Sequence, residues 1–156
     1  IGAGHSPEHA CLYSADIDTL ISGDQVLPKI TPNISVWPQE PQANPLALFL
    51  STLEKLRNLG PETLVLPSHK LPFRGLDKRI NELQEHHYER LNETLNICSK
   101  PINGIEVMQQ LFPRELDTHQ MFFAVGETLA HLNYLIEQRK ILTKQDSNGV
   151  NLYFSE

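Results

Sequence analysis

Residues 4–9 read Gly4-His5-Ser6-Pro7-Glu8-His9, or GHSPEH. Glycine, proline and two histidines within six residues make a tight loop that carries chemistry, not a helix or a strand. Only Ile1-Gly2-Ala3 stand before it. Working outward, two later stretches have a related form. Leu20-Ile21-Ser22-Gly23-Asp24 (LISGD) ends in a carboxylate, and Leu64-Val65-Leu66-Pro67-Ser68-His69 (LVLPSH) ends in an imidazole. His5, Asp24 and His69 each sit just past an expected strand, where an α/β layer places functional groups on short loops. Two imidazoles and a carboxylate are ligand types for catalytic zinc or iron. A carboxylate has two oxygens and can bridge two cations. Gly4 and Gly23 permit tight backbone turns beside them. Spacing alone leaves a metal site and scattered polar residues as alternatives.

The rest of the composition narrows the class. The 156 residues are 40% hydrophobic and 21% charged, as in ordinary globular proteins, and suit one domain or two small ones. Net charge is −6, divided as −2 over residues 1–76 and −4 over residues 77–156. Neither part has the basic excess that phosphate binding relies on. No apolar run approaches the ~20 residues of a membrane span, and no signal peptide is visible. Cys11 and Cys98 form no CxxC pair. They read as buried, reduced thiols of a cytoplasmic protein.

Texture changes near Leu76. His9–Ser14 and Thr19–Ser22 are expected strands around the turn Ala15–Asp18. Five prolines in residues 28–45 exclude helix and central strand, so this is an ordered loop draped over something. Asn44-Pro45 opens a helix with Leu46, Phe49, Leu50, Leu53 and Leu56 at helical spacing, and Gly60-Pro61 ends it. Thr63–Leu66 suits a buried parallel strand. Helices are expected over 77–97, 102–112 and 118–140. The last has Asp117 as its cap and Met121, Phe122, Val125, Leu129, Leu132 and Ile136 as its inner stripe. Ser147-Asn148-Gly149 marks a closing hairpin. Three helices and a hairpin make a winged helix.

GHSPEH, LISGD and LVLPSH in this order closely resemble the metallo-β-lactamase fold family of hydrolases. The resemblance implies an α/β fold. Residues 1–76 would be the second half of an αββα sandwich, and residues 77–156 the mostly helical winged-helix domain of the lactamase-β-like branch. It implies that His5 binds one metal, Asp24 bridges two, and His69 binds the second. The metals would be two zinc ions, with iron or manganese as alternatives. The parent reaction would be cleavage of an ester, thioester or phosphodiester by metal-activated water. The family's HxHxDH motif is absent here, so the chain resembles only the C-terminal half of such an enzyme. The expectation is a fragment with an incomplete or absent metal set and no activity alone.

The alternatives are a non-catalytic winged-helix binding or packing module, or an endoribonuclease-type parent. Expected partners are a small-molecule substrate of the parent and no membrane. Self-association through an uncovered sheet face is a further expectation. DNA binding by the winged helix is not expected, because the third helix has Arg139 and Lys140 only at its end. His9 is a candidate to orient a ligand, or else a strand-start residue. Lys29 is a candidate substrate contact, or else a surface lysine. His86 and His87 read as a solvated helix face, with Glu82 and His86 able to take a stray cation. His119 and His131 read as ordinary helix residues.

Overall fold

β1 (Leu12–Ser14) and β2 (Thr19–Gly23) pair antiparallel, with Leu12 opposite Ile21. The Asp-rich turn between them is pinned by Asp18. Its carboxylate accepts from Tyr13 Oη at 3.1 Å and from Thr63 Oγ1 at 2.7 Å. The second bond ties the turn to the entry of β3 (Leu64–Pro67), which runs parallel to β2 in the order β1-β2-β3. A parallel pair needs a crossover, and α1 (Pro45–Lys55) lies within that connection. These strands and helices belong to a computed structural model that describes residues 1–155.

The chain forms two compact units. One holds Ile1–Ile34 and Ala47–His86, the other Ser35–Leu46 and the chain from His87 onward. In the first unit, period-2 alternation gives the sheet two unlike faces. Leu20 and its partner Val65 are buried with Phe49, Leu53, Leu76, Ile80 and Leu83. Each such side chain contributes about 1.5–3 kcal/mol. The opposite pair, Leu12 and Ile21, remains 63% and 47% exposed.

The second unit takes the later half of α2 (Leu76–Ile97), then β4 (Ile102–Asn103), α3 (Gly104–Leu111), α4 (Thr118–Glu137), β5 (Leu142–Gln145) and β6 (Asn151–Phe154). Its sheet order is β4-β6-β5. Ile102 and Asn103 do not open a helix, contrary to expectation. They pair with Tyr153 and Leu152. Asn103 then caps α3, its side chain accepting from Ile105 N and Glu106 N, both at 3.0 Å. α4 stops three residues early. Arg139 turns left-handed at φ +55°, and Lys140 N donates back to Leu135 O at 2.9 Å.

The inner stripe of α4 holds at Leu132 and is corrected at its start. Met121 and Phe122 are 46% and 49% exposed, whereas Ala124, Gly126, Thr128, Ala130, His131, Leu132 and Leu135 are buried. The proline-rich segment explains this, because it lies across α4 at its small residues. Val36 N donates to Gly126 O at 3.0 Å, and Asn133 Nδ2 donates to Pro41 O and Ala43 O at 3.0 and 2.8 Å. His87 is not on a solvated face. It is buried on the stripe it shares with Leu91, and its ring centroid is 5.6 Å from that of buried His131. Glu82 pairs with Arg79 and Lys78.

Candidate metal centre

The loop that opens the chain is closed at its base. Gly2 N donates to His9 O at 2.6 Å and His9 N to Gly2 O at 3.0 Å. Gly4, at φ +103°, allows the bend inside it. This lifts His5 toward β2. His5 Nδ1 lies 2.9 Å from Asn33 O. A carbonyl only accepts, so Nδ1 carries a proton, and in the neutral ring this leaves the lone pair on Nε2. That Nε2 lies 3.7 Å from Asp24 Oδ2.

Asp24 follows β2 through Gly23, whose φ is +55°. A Cβ on Gly23 would collide with the His9 ring. His9 Nε2 accepts from Asp24 N at 3.2 Å. The Ser22 carbonyl, also 3.2 Å from this nitrogen, only accepts, so an Nε2 that accepts from Asp24 N makes no bond to it. His9 Nδ1 is 3.3 Å from Ser6 Oγ, so the Nδ1–H form serves both neighbours. His9 therefore holds the backbone of Asp24 rather than facing the carboxylate. β3 delivers the third group. Ser68 N donates to Gly23 O at 3.1 Å, and Ser68 Oγ donates to Asp24 Oδ1. His69 Nε2 then lies 3.4 Å from Asp24 Oδ1.

The three candidates thus meet on one carboxylate, with a different oxygen toward each imidazole. The separations, 3.7 and 3.4 Å, exceed a normal hydrogen bond. Ligands about 2.1 Å from a shared ion at tetrahedral angles stand about 3.4 Å apart. On each side of Asp24 the geometry offers one imidazole and one carboxylate oxygen, donor types that suit zinc. Among the described residues, no three His, Cys, Asp or Glu side chains converge to hold one ion. The side chains of His5 and Asp24 are 30% and 27% exposed and His69 is 63% exposed, which leaves the site open on the His69 side.

Lys29 is exposed, and among the described residues no hydrogen bond or ion pair joins it to this group. Ser68 and the Asn33 carbonyl are positioning groups that sequence reasoning passed over. Ser68 stands inside the PSH triplet and was open to notice; Asn33 carries no local signal. Cys11 is only partly buried, with its Sγ 3.6 Å from Ser22 O. Burial pushes its thiol up, and pushes buried Cys98 up to about 11.

Residues 1–69 match the family model of the metallo-β-lactamase superfamily, a stretch that contains all three candidates. Residues 91–155 match the metallo-β-lactamase-like C-terminal domain. The chain belongs to the metallo-β-lactamase superfamily. Among solved structures, it is similar to a β-lactamase domain protein from Burkholderia ambifaria, at 48% identity over 99% of this chain with a TM-score of 0.95. It is also similar to a metallo-β-lactamase family protein from Thermus thermophilus, at 33% identity over 99% of this chain with a TM-score of 0.84. The chain spans 46% and 47% of the lengths of these two relatives. No curated protein matches it. Among the described residues, no helix of this metallo-β-lactamase-like chain is long and apolar enough to cross a membrane.

Proposed function

We propose that these residues carry one side of the dinuclear centre of a metal-dependent hydrolase, with Asp24 between two zinc ions, His5 on one and His69 on the other. The supporting observation is that Asp24 turns Oδ2 to His5 and Oδ1 to His69 at near ligand-edge distances. Bound zinc would supply Lewis-acid and water-activating chemistry for cleaving an ester, thioester or phosphodiester. The chain's own residues orient that centre. Asn33 O fixes the His5 ring, His9 and Gly23 fix the Asp24 backbone, and Ser68 turns the carboxylate.

Two ligands per ion are fewer than the three that a catalytic zinc takes from protein. The remaining ligands therefore come from elsewhere in the whole protein, in keeping with relatives about twice as long. Residues 1–76 read as a half-sandwich and residues 77–156 as a winged helix. The helix–strand–helix–helix–strand–strand order supports the latter. α4 has no Arg or Lys and packs its Gly126 face on the proline-rich segment, which favours a packing module over a nucleic-acid reader. A cytoplasmic location belongs to the same reading, supported by two free cysteines.

A panel of ester, thioester and phosphodiester substrates with added zinc tests this. The full-length protein is expected to turn over at least one class. The 156 residues alone are expected to turn over none, and metal-dependent turnover by them alone would overturn the shared-site reading.

A further inference from the structure

The segment between β2 and the proline-rich stretch has no regular structure from Gln25 to Ile34, yet both ends serve the site. Asp24 stands at its start. The Asn33 carbonyl, near its end, sets the proton on His5 Nδ1. Residues 28 and 32 are prolines and donate no backbone hydrogen bond, so the segment cannot be held by a strand ladder. Val26, Leu27 and Ile34 anchor it by burial, and Ser22 Oγ donates to Val26 O at 2.9 Å. Between Leu27 and Asn33 a side chain from another element reaches the backbone. Arg79, in α2, donates Nε to Leu27 O at 2.6 Å and Nη2 to Ile30 O at 3.0 Å. Its third corner, Nη1, meets Glu82 Oε2 at 3.0 Å. The Arg79 side chain is 12% exposed, and its two carbonyl bonds are charge-assisted. A planar fork holds two carbonyls three residues apart, which an ammonium cannot do in one geometry.

We infer that Arg79 is a positioning residue of the metal centre. It clamps residues 27–30 so that the Asn33 carbonyl stays on His5 Nδ1 and the His5 Nε2 lone pair stays turned to Asp24. This rests on the metal-site reading for its functional meaning. The clamp itself is independent of any metal.

The test uses the full-length protein in three variants. Glu82→Gln keeps both carbonyl bonds and serves as the control. Arg79→Met removes the clamp, and Arg79→Lys keeps a cation without the fork. The first readout is metal-free: the imidazole 15N signals of His5 and amide exchange over residues 29–34. Arg79→Met is expected to mix the His5 tautomers and speed exchange at least about tenfold there, while exchange in α3 and α4 is unchanged. Arg79→Lys is expected to mix the tautomers too, and it decides the matter if Arg79→Met does not fold. Glu82→Gln is expected to match the parent. The second readout is zinc affinity, expected to fall about 10–100-fold in Arg79→Met. A single Nδ1–H tautomer retained in both Arg79 variants overturns the inference. Mixed tautomers in a protein that binds no zinc even as the parent would uphold the clamp and sink the metal reading instead.

Discussion

At Gly23 two demands coincide. The backbone sits at φ +55°, and the space a Cβ would take is filled by the His9 ring. Gly23→Ala is therefore expected to cost about 1–3 kcal/mol in urea unfolding, and to break the bond from Asp24 N to His9. Unchanged stability would mean that the ring moves freely aside. Cys98 gives a second prediction at this scale. With its thiol pushed up to about 11 by burial, almost no thiolate exists at neutral pH. Alkylation of the native protein at pH 8 should label Cys11 well before Cys98, and equal rates would contradict the burial of Cys98. The grouping of His5, Asp24 and His69 was legible in sequence, because Asp24 and His69 each follow an apolar run and His5 stands in a Gly-Pro loop. What holds them was not. The Asn33 carbonyl and Arg79 act from far along the chain and leave no local pattern. His87 reads as a surface residue because its neighbours Glu85 and His86 are polar, although helical period puts it in line with Leu83 and Leu91.

Among the elements, α4 and the proline-rich segment come close at Gly126. Alanine is favoured over glycine in a helix by about 1 kcal/mol. At Gly126, however, a Cβ would come within 2.8 Å of Ser35 Cβ and 3.1 Å of Val36 O. The clash is with backbone as well as side chain, so overpacking of about 1–3 kcal/mol outweighs the propensity gain. Gly126→Ala should lower the midpoint of chemical unfolding; a rise would show that the segment yields. Asn103→Ala removes a cap with two backbone donors and should cost about 1 kcal/mol by the same measurement. The hairpin and the amphipathic α2 were legible because their signals are local. β4 was not, since two residues carry no periodicity and only pairing with β6 makes them a strand. Proline content announced an ordered loop, but not that it would lie on α4, because that contact is written in Gly126, far later in the chain.

For the molecule as a whole, the exposed row on the first sheet is the feature that calls for company. Leu12 and Ile21, paired on its outer face, are 63% and 47% exposed. Exposed apolar surface on a sheet face favours association. The 156 residues alone should show concentration-dependent self-association in sedimentation velocity, and Ile21→Lys should suppress it. A monomer at all concentrations would contradict this. Family membership was legible because three short motifs recur in fixed order, and each is set by backbone needs as much as by chemistry. The substrate was not legible, since the pocket walls lie beyond these residues in this reading.

In the proposed centre, Asp24 joins two metal positions. Elemental analysis of the full-length protein and three variants tests it most directly. The parent should hold two zinc ions per chain. His5→Ala and His69→Ala should each lose one, and Asp24→Ala should lose both. An Asp24→Ala protein that retains the parent's full zinc content would contradict the account.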